Sequence, residues 1–170
     1  MITGEHIGGV PDEALYFPLR EEHPNDAVVV NTGSQRAVYA IAKNPLCMIS
    51  TDTGAYLPGE GHPQIAGSFP RFLREMVVER AELDWTDAIA QMTYWPAVVL
   101  GFTKKGRMQP GCDADLVIMD PQAIADRADF PGLGKPNAAP EGIEYVIVAG
   151  EIAARNAKPT GVLAGRAIRC

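Results

Sequence analysis

The sequence predicts an α/β chain that turns mainly to β structure in its last third. Three observations carry this. Two continuous apolar runs, "AVVVN" at 27–31 and "LCMIST" at 46–51, flank a helical pattern, which is the signature of a βαβ unit with parallel strands. Two amphipathic helical patterns follow between 68 and 100. Beyond 106–112 the texture changes to turn residues and short apolar runs.

Residues 1–26 hold glycine, proline and scattered charge around the apolar patch "ALYFPL" and read as mostly irregular. The runs at 27–31 and 46–51 suit strands buried on both faces. Between them Ala37, Val38, Ile41 and Ala42 fall at helical spacing, with Thr32 or Ser34 placed as N-cap and Pro45 beyond the end. Asp52 closes the second run. At the carboxyl end of a parallel strand it stands where ligands bind in such sheets. A buried carboxylate there needs a partner, a hydrogen bond or a metal.

A Gly- and Pro-rich loop over 53–67 contains His62-Pro63. "SFPRFLREMVVERAE" predicts a helix opened by Ser68, burying Phe72, Leu73, Met76 and Val77 and exposing Arg71, Arg74, Glu75 and Glu79. A further helix starts near Asp84 with Trp85, Ala88, Ile89 and Met92 inward, and Pro96 kinks it or opens a second short helix. Trp85, Tyr94 and Trp95 sit at helical spacing and read as core. "GRMQPGCDADLVIMDP" predicts a turn and a strand at 114–119. "YVIVAGEIAARN" predicts two short strands joined at Ala149-Gly150, and the tail a loop with a last strand.

Composition narrows the function. The 170 residues are 46% hydrophobic with a net charge of −6. No basic run could track phosphates, so nucleic acid is a poor partner. No apolar stretch approaches a membrane span, and the polar, glycine-rich N-terminus lacks the charged and apolar regions of a signal peptide. The three cysteines, Cys47, Cys112 and Cys170, are widely spaced with no CxxC pair, which fits a reducing cytoplasm rather than a disulfide framework or a cysteine zinc site.

"MISTD", "HPQIAGSFPRFLREMV", "LDWTDAIAQMTYWPAVVLGFTKKGRMQPGCDADLVIMDP", "PEGIEYVIVAGEI" and "TGVLAGRAIR" together resemble the C-terminal part of the amidohydrolase superfamily over residues 28–169. The G-x-(I/M)-x-P-G-x-x-A-D-L-V-x-x-D stretch is specific to the superfamily. The His-Pro…Gly-Ser-Phe-Pro-Arg stretch points to the N-acyl-D-amino-acid deacylases (D-aminoacylases), with dihydroorotase-like enzymes as wider relatives. The resemblance implies the C-terminal portion of a metal-dependent (β/α)8 barrel plus part of a small β-sandwich domain. It divides the chain into an irregular N-terminal segment (1–26), the last barrel strands and helices (27–108) and a C-terminal share of the sandwich (109–170).

Within that family Asp52 matches the aspartate at the end of the eighth strand. There it is a metal ligand that contacts the metal-bound water and shuttles its proton to the leaving nitrogen, which an amine needs in order to leave. His62 becomes a candidate substrate-side residue against the plain reading of a locally bonded loop histidine. The resemblance implies zinc in the intact enzyme and a small-molecule amide substrate: an N-acyl-D-amino acid or a cyclic amide.

The chain also departs from the family. Its histidines are His6, His23 and His62, with no His-x-His. Gln64 stands where deacylases often carry an arginine, and Thr-Asp-Thr-Gly replaces the commoner Ser-Asp-Gly. Asp113 and Asp115 flank a turn into a strand and read as turn hydrogen bonding rather than a metal pair. The expectation is therefore a C-terminal piece, inactive and without zinc when alone. It would be a homo-oligomer or lack an N-terminal partner. The alternative is a non-catalytic stand-alone chain, or a subunit needing a partner chain to complete the barrel.

Overall fold

The computed structural model describes residues 13–25, 33–52, 54, 56–57 and 60–168. The predicted strand at 27–31 lies outside them, as do His6 and Cys170. Five helices precede a four-stranded sheet among the described residues.

Helix α1 spans Glu13–Glu22, so part of the segment read as irregular is helical. Glu, Ala, Leu and Arg favour helix, and Pro18 removes only one backbone donor, so the glycines and prolines around it did not decide the matter. Helix α2 (Gln35–Ala42) begins after Ser34, although the Ser34 side chain makes no capping bond.

Helix α3 (Gln64–Leu73) starts one turn before the expected Ser68 and widens into a π-turn over Arg74–Glu79. Ser68 lies inside it, with its hydroxyl donating back to the Gln64 carbonyl at 2.9 Å. The apolar face is the predicted one, while of the four residues expected outside, Arg71 and Glu79 are exposed and Arg74 and Glu75 are half-buried by their ion pairs with each other and with Asp126. Phe72, Leu73 and Met76 are buried, and Val77 packs against them.

Helix α4 (Trp85–Met92) is capped by the Asp84 carboxylate, which accepts from the Asp87 N–H at 2.8 Å. Pro96 falls in a separate short helix, α5 (Tyr94–Val99). Ala88 is fully buried, and Trp85, Ile89 and Met92 pack on the core as expected. Tyr94 and Trp95 do not. They stack edge-on to each other with ring centroids 4.9 Å apart and are exposed. The break between α4 and α5 rotates them off the stripe that an unbroken helix would have buried. At that junction the chain doubles back through Gly106 (φ +71°), where a Cβ would lie 2.4 Å from the Thr93 carbonyl oxygen.

The sheet is an antiparallel meander of β1 (Leu116–Met119), β2 (Ile143–Val148), β3 (Glu151–Arg155) and β4 (Lys158–Pro159), in that order. The predicted Ala149-Gly150 turn closes β2 on β3 with both residues at positive φ, 50° and 85°, and Val148 pairs with Glu151. A second two-residue turn, Asn156-Ala157, joins β3 to β4. β4 lies just before the tail, and the last strand expected within the tail is absent from its described residues, 160–168.

One core joins the two regions. Phe72, Leu73, Met76 and Ala88 from the helices meet Ile124, with Met119 and Ile143 of the sheet packed around them.

The run at 46–51 is extended but belongs to no sheet among the described residues. Its backbone pairs with no other strand among the described residues, and the Ile49 N–H goes to the Gln91 carbonyl of α4 at 3.3 Å. Side chains still alternate. Ile49 and Thr51 face inward while Leu46 and Met48 are exposed, Leu46 at 90%. A parallel strand exists only through its neighbours, and the apolar pattern does not supply them.

The hairpin turns suggest a stability test. Ala157 sits at φ 61°, a left-handed conformation costly for any residue bearing a Cβ. Ala157→Gly should raise stability by about 0.5–1 kcal/mol, read by urea denaturation. A loss of stability would show that the turn is not under this strain.

Candidate functional site

Asp52 ends the extended segment and is exposed. Its neighbour Thr51 is half-buried, and its hydroxyl donates to the Gln64 carbonyl at 3.1 Å. The Ser68 hydroxyl lies 3.3 Å from the Thr51 hydroxyl. The Gln64 side-chain amide donates to the main-chain carbonyl of Asp52. A turn of helix thus grips the chain where the carboxylate emerges. The carboxylate itself is free to meet solvent or a ligand, so the buried, costly carboxylate of the strand reading does not arise.

His62 is brought to the same place. Its Nδ1 accepts the Gln64 main-chain N–H at 3.1 Å, which assigns Nδ1 as the unprotonated nitrogen. Its ring packs edge-on against Phe130, with centroids 4.9 Å apart. His62 and Asp52 therefore share one contact residue, Gln64, which reading by motif had treated only as a departure. The signal that could have found it is its place at the first turn of a helix directly after His-Pro.

The other candidates lie elsewhere. Lys105 bridges Asp113, at 2.9 Å, and Asp115. The Asp115 carboxylate also accepts the Ala149 N–H of the β2–β3 turn at 2.8 Å. These aspartates fasten a hairpin to the preceding loop. Cys47 is half-buried rather than buried, and Cys112 likewise; both are free thiols. His23 lies 3.8 Å from the carboxylate of Glu22.

Two open surface hollows contain neither Asp52 nor His62. One is lined by residues 107–110 and 112–114 with Leu116, the other by α4 residues from Trp85 to Ala90, the Thr93-Tyr94 junction and Gly106. Among the described residues no three carboxylate, imidazole or thiol groups come close enough to hold a metal ion. With one exposed carboxylate and a histidine already committed through Nδ1, the described residues do not fit a catalytic zinc site, which needs about three protein ligands.

A helical layer, a small antiparallel sheet and a carboxylate presented at the end of an extended segment define an α/β protein with a loop-built polar site. The particular family follows from comparison: residues 29–154 match the model of the amidohydrolase family, and the chain belongs to it. It is 34% identical to the N-acyl-D-glutamate deacylase of Alcaligenes xylosoxydans xylosoxydans over 142 residues, 82% of this chain and 25% of that protein. To the N-acyl-D-aspartate deacylase of the same organism it is 35% identical over 116 residues, 68% of this chain and 22% of the relative.

Among solved structures it resembles a D-aminoacylase mutant in complex with copper chloride (29% identity, TM-score 0.72, covering 81% of this chain and 28% of that one). It also resembles the N-acyl-D-glutamate deacylase of Bordetella bronchiseptica, complexed with zinc and a phosphonate that mimics the tetrahedral intermediate (33% identity, TM-score 0.61, covering 78% of this chain and 28% of that one). The chain spans about a quarter of the length of the curated relatives it matches.

The Lys105 contacts set a pH dependence. Hydrogen bonds from Lys105, and for Asp115 also from the Ala149 N–H, hold both carboxyls below the usual carboxylate range. Groups depressed in the folded state add stability above their unfolded value, about 3.9 for Asp, and lose it as pH falls through the lower folded value. Asp115→Asn should lower the melting temperature at pH 7 and flatten its decline below about pH 4. Thermal denaturation across pH reads this, and an unchanged slope would remove the latch from the account.

Proposed function

We propose that this chain is the Asp52-bearing part of an amidohydrolase that cleaves the C–N amide bond of an N-acyl-D-amino acid, with a cyclic amide as the second substrate class. The observation that carries the reading is Asp52 itself: an exposed carboxylate at the end of an extended segment whose main chain is held from the side. In the reaction water adds to the amide carbonyl and the C–N bond breaks. Asp52 accepts the proton that the water gives up and delivers it to the departing nitrogen. His62, half-buried beside it, lies on the substrate side. The relatives' names support the substrate class.

The relatives' structures with zinc or copper support zinc in the intact enzyme. The described residues of this chain do not assemble a ligand set, so no step is assigned to a metal here. The domain reading also belongs to this proposal: 27–108 as last barrel strands and helices, and 109–170 as a share of a β-sandwich. The last helix ending at Val99 and the first strand beginning at Leu116 support it. A cytoplasmic setting is supported by the free thiols of Cys47 and Cys112. Among the described residues no helix is long and apolar enough to cross a membrane.

A specific observation favours association. Val38 and Ile41 of α2, and Leu46 and Met48 of the following segment, are all exposed. We propose that they are covered by a second copy or by a partner chain completing the fold, because apolar surface of this kind left in water is an aggregation liability. Sedimentation of the purified chain at micromolar concentration should show a species larger than the monomer, and Ile41→Lys with Met48→Lys should shift it toward the monomer. A clean monomer for the unmodified chain would rule out self-association.

The catalytic reading is tested by activity. Alone, the chain should not hydrolyse N-acyl-D-amino acids above background. Spliced in place of the corresponding quarter of the related N-acyl-D-glutamate deacylase, it should support turnover that Asp52→Asn cuts by about 10²-fold or more. A hybrid whose rate is indifferent to Asp52→Asn would overturn the role given to this residue.

A further inference from the structure

Resting on the reading of Asp52 above, we propose that Gln64 is a positioning residue. It fixes where the Asp52 carboxylate stands and ties that position to His62. A catalytic carboxylate at the end of a paired strand has its main chain held by the ladder. The segment at 46–51 pairs with no strand among the described residues, and its link to the helices upstream of Thr51 is the bond from the Ile49 N–H to Gln91. Something else must hold the last two residues.

Gln64 uses nearly every polar group it has for this. Its side-chain amide donates to the Asp52 carbonyl. Its main-chain carbonyl accepts from the Thr51 hydroxyl at 3.1 Å and from the Ser68 hydroxyl at 2.9 Å. Its main-chain N–H is taken by His62 Nδ1 at 3.1 Å. One residue at the first turn of α3 therefore touches both candidate site residues and the residue before the carboxylate. The side-chain bond alone reaches Asp52. It is also the part that a substitution can remove without disturbing the main-chain bonds.

The chemistry required is a donor of the right reach. Gln64→Met keeps the length and removes the donor. Gln64→Glu presents an acceptor to a carbonyl. Gln64→Lys restores a donor on a long side chain. A residue that merely starts a helix would show no such pattern, since all three substitutes are good helix formers.

The test uses the full chain and does not depend on catalysis. Backbone 15N relaxation at Asp52 and Gly54 should fall from an order parameter of about 0.85 to below about 0.6 in Gln64→Met and Gln64→Glu, and recover in Gln64→Lys. Amide protection in α3 should stay unchanged. In the hybrid deacylase the same pair should lower kcat while leaving KM near its starting value, with Gln64→Lys again recovering. Unchanged relaxation at Asp52 in the Met and Glu variants overturns the proposal. So does a loss shared equally by Gln64→Lys, or loss of protection throughout α3, because either makes Gln64 a helix-start residue only. If relaxation follows the predicted pattern while Asp52→Asn leaves the hybrid's rate intact, the positioning stands and the catalytic reading of Asp52 falls.

Discussion

The packing of Phe72, Leu73 and Met76 against Ala88 and Ile124 is the contact on which the other parts depend. It is small, and among the described residues it is the buried apolar cluster shared between the helices and the region that leads into the sheet. Removing such side chains from water is worth roughly 1.5–3 kcal/mol each, so a handful of residues sets the relation of the helical layer to the β-rich end. Gly142, at φ +79°, shows how close the approach is: a Cβ there would come within 2.6 Å of the Ile124 main-chain nitrogen.

Charge reinforces the same junction. Arg74, in the π-turn directly before Met76, places its guanidinium 2.8 Å from Asp126, two residues beyond Ile124, and also pairs with Glu79. Burial pulls the Arg74 guanidinium down, and the hydrogen bonds to Glu79 and Asp126 outweigh it, so its pKa stands above the ordinary value. Glu75, one residue on, accepts from Arg71 at 2.6 Å and from the Tyr39 hydroxyl at 3.0 Å, which brings α2 into the set. Isolated surface pairs contribute little, but a network around a shared, partly buried arginine loses less side-chain entropy per contact. The apolar seam brings the elements together, and the ion pairs choose their orientation.

Periodicity made the helices legible because burial on one stripe is a local property. Phe72, Leu73 and Met76 are buried where the 3.6-residue pattern places them, and the Asp84 cap and the Ala149-Gly150 turn are short-range chemistry that needs no tertiary context. What was not legible depends on neighbours. The run at 46–51 has the composition of a parallel strand, yet a strand is defined by pairing. Tyr94 and Trp95 read as core because an unbroken helix was assumed up to Pro96. For the site, Asp52 was visible from its position at the end of an apolar run and from the family motif. Gln64 was not, because its role is a side-chain bond to a main-chain carbonyl twelve positions earlier in the chain, and its place after His-Pro hints at a helix start but not at that partner.

Folding and the proposed chemistry place different demands on the same segment. For folding, 46–52 needs only its inward face: Ile49 and Thr51 packed and bonded to α3 and α4. For the proposed chemistry, Asp52 would have to be held to within about half an ångström of a working position, since small misplacements of a catalytic group are costly. An extended segment with one face on helices and its backbone otherwise unpaired meets the first demand easily and the second poorly. The outward residues Leu46 and Met48 carry apolar surface that the described fold does not use. A neighbour that paired with this backbone and covered those side chains would meet the second demand. The contact that the association proposal requires and the rigidity that the catalytic proposal requires therefore come from one event. The Gln64 clamp is then what keeps Asp52 near its place until that event occurs.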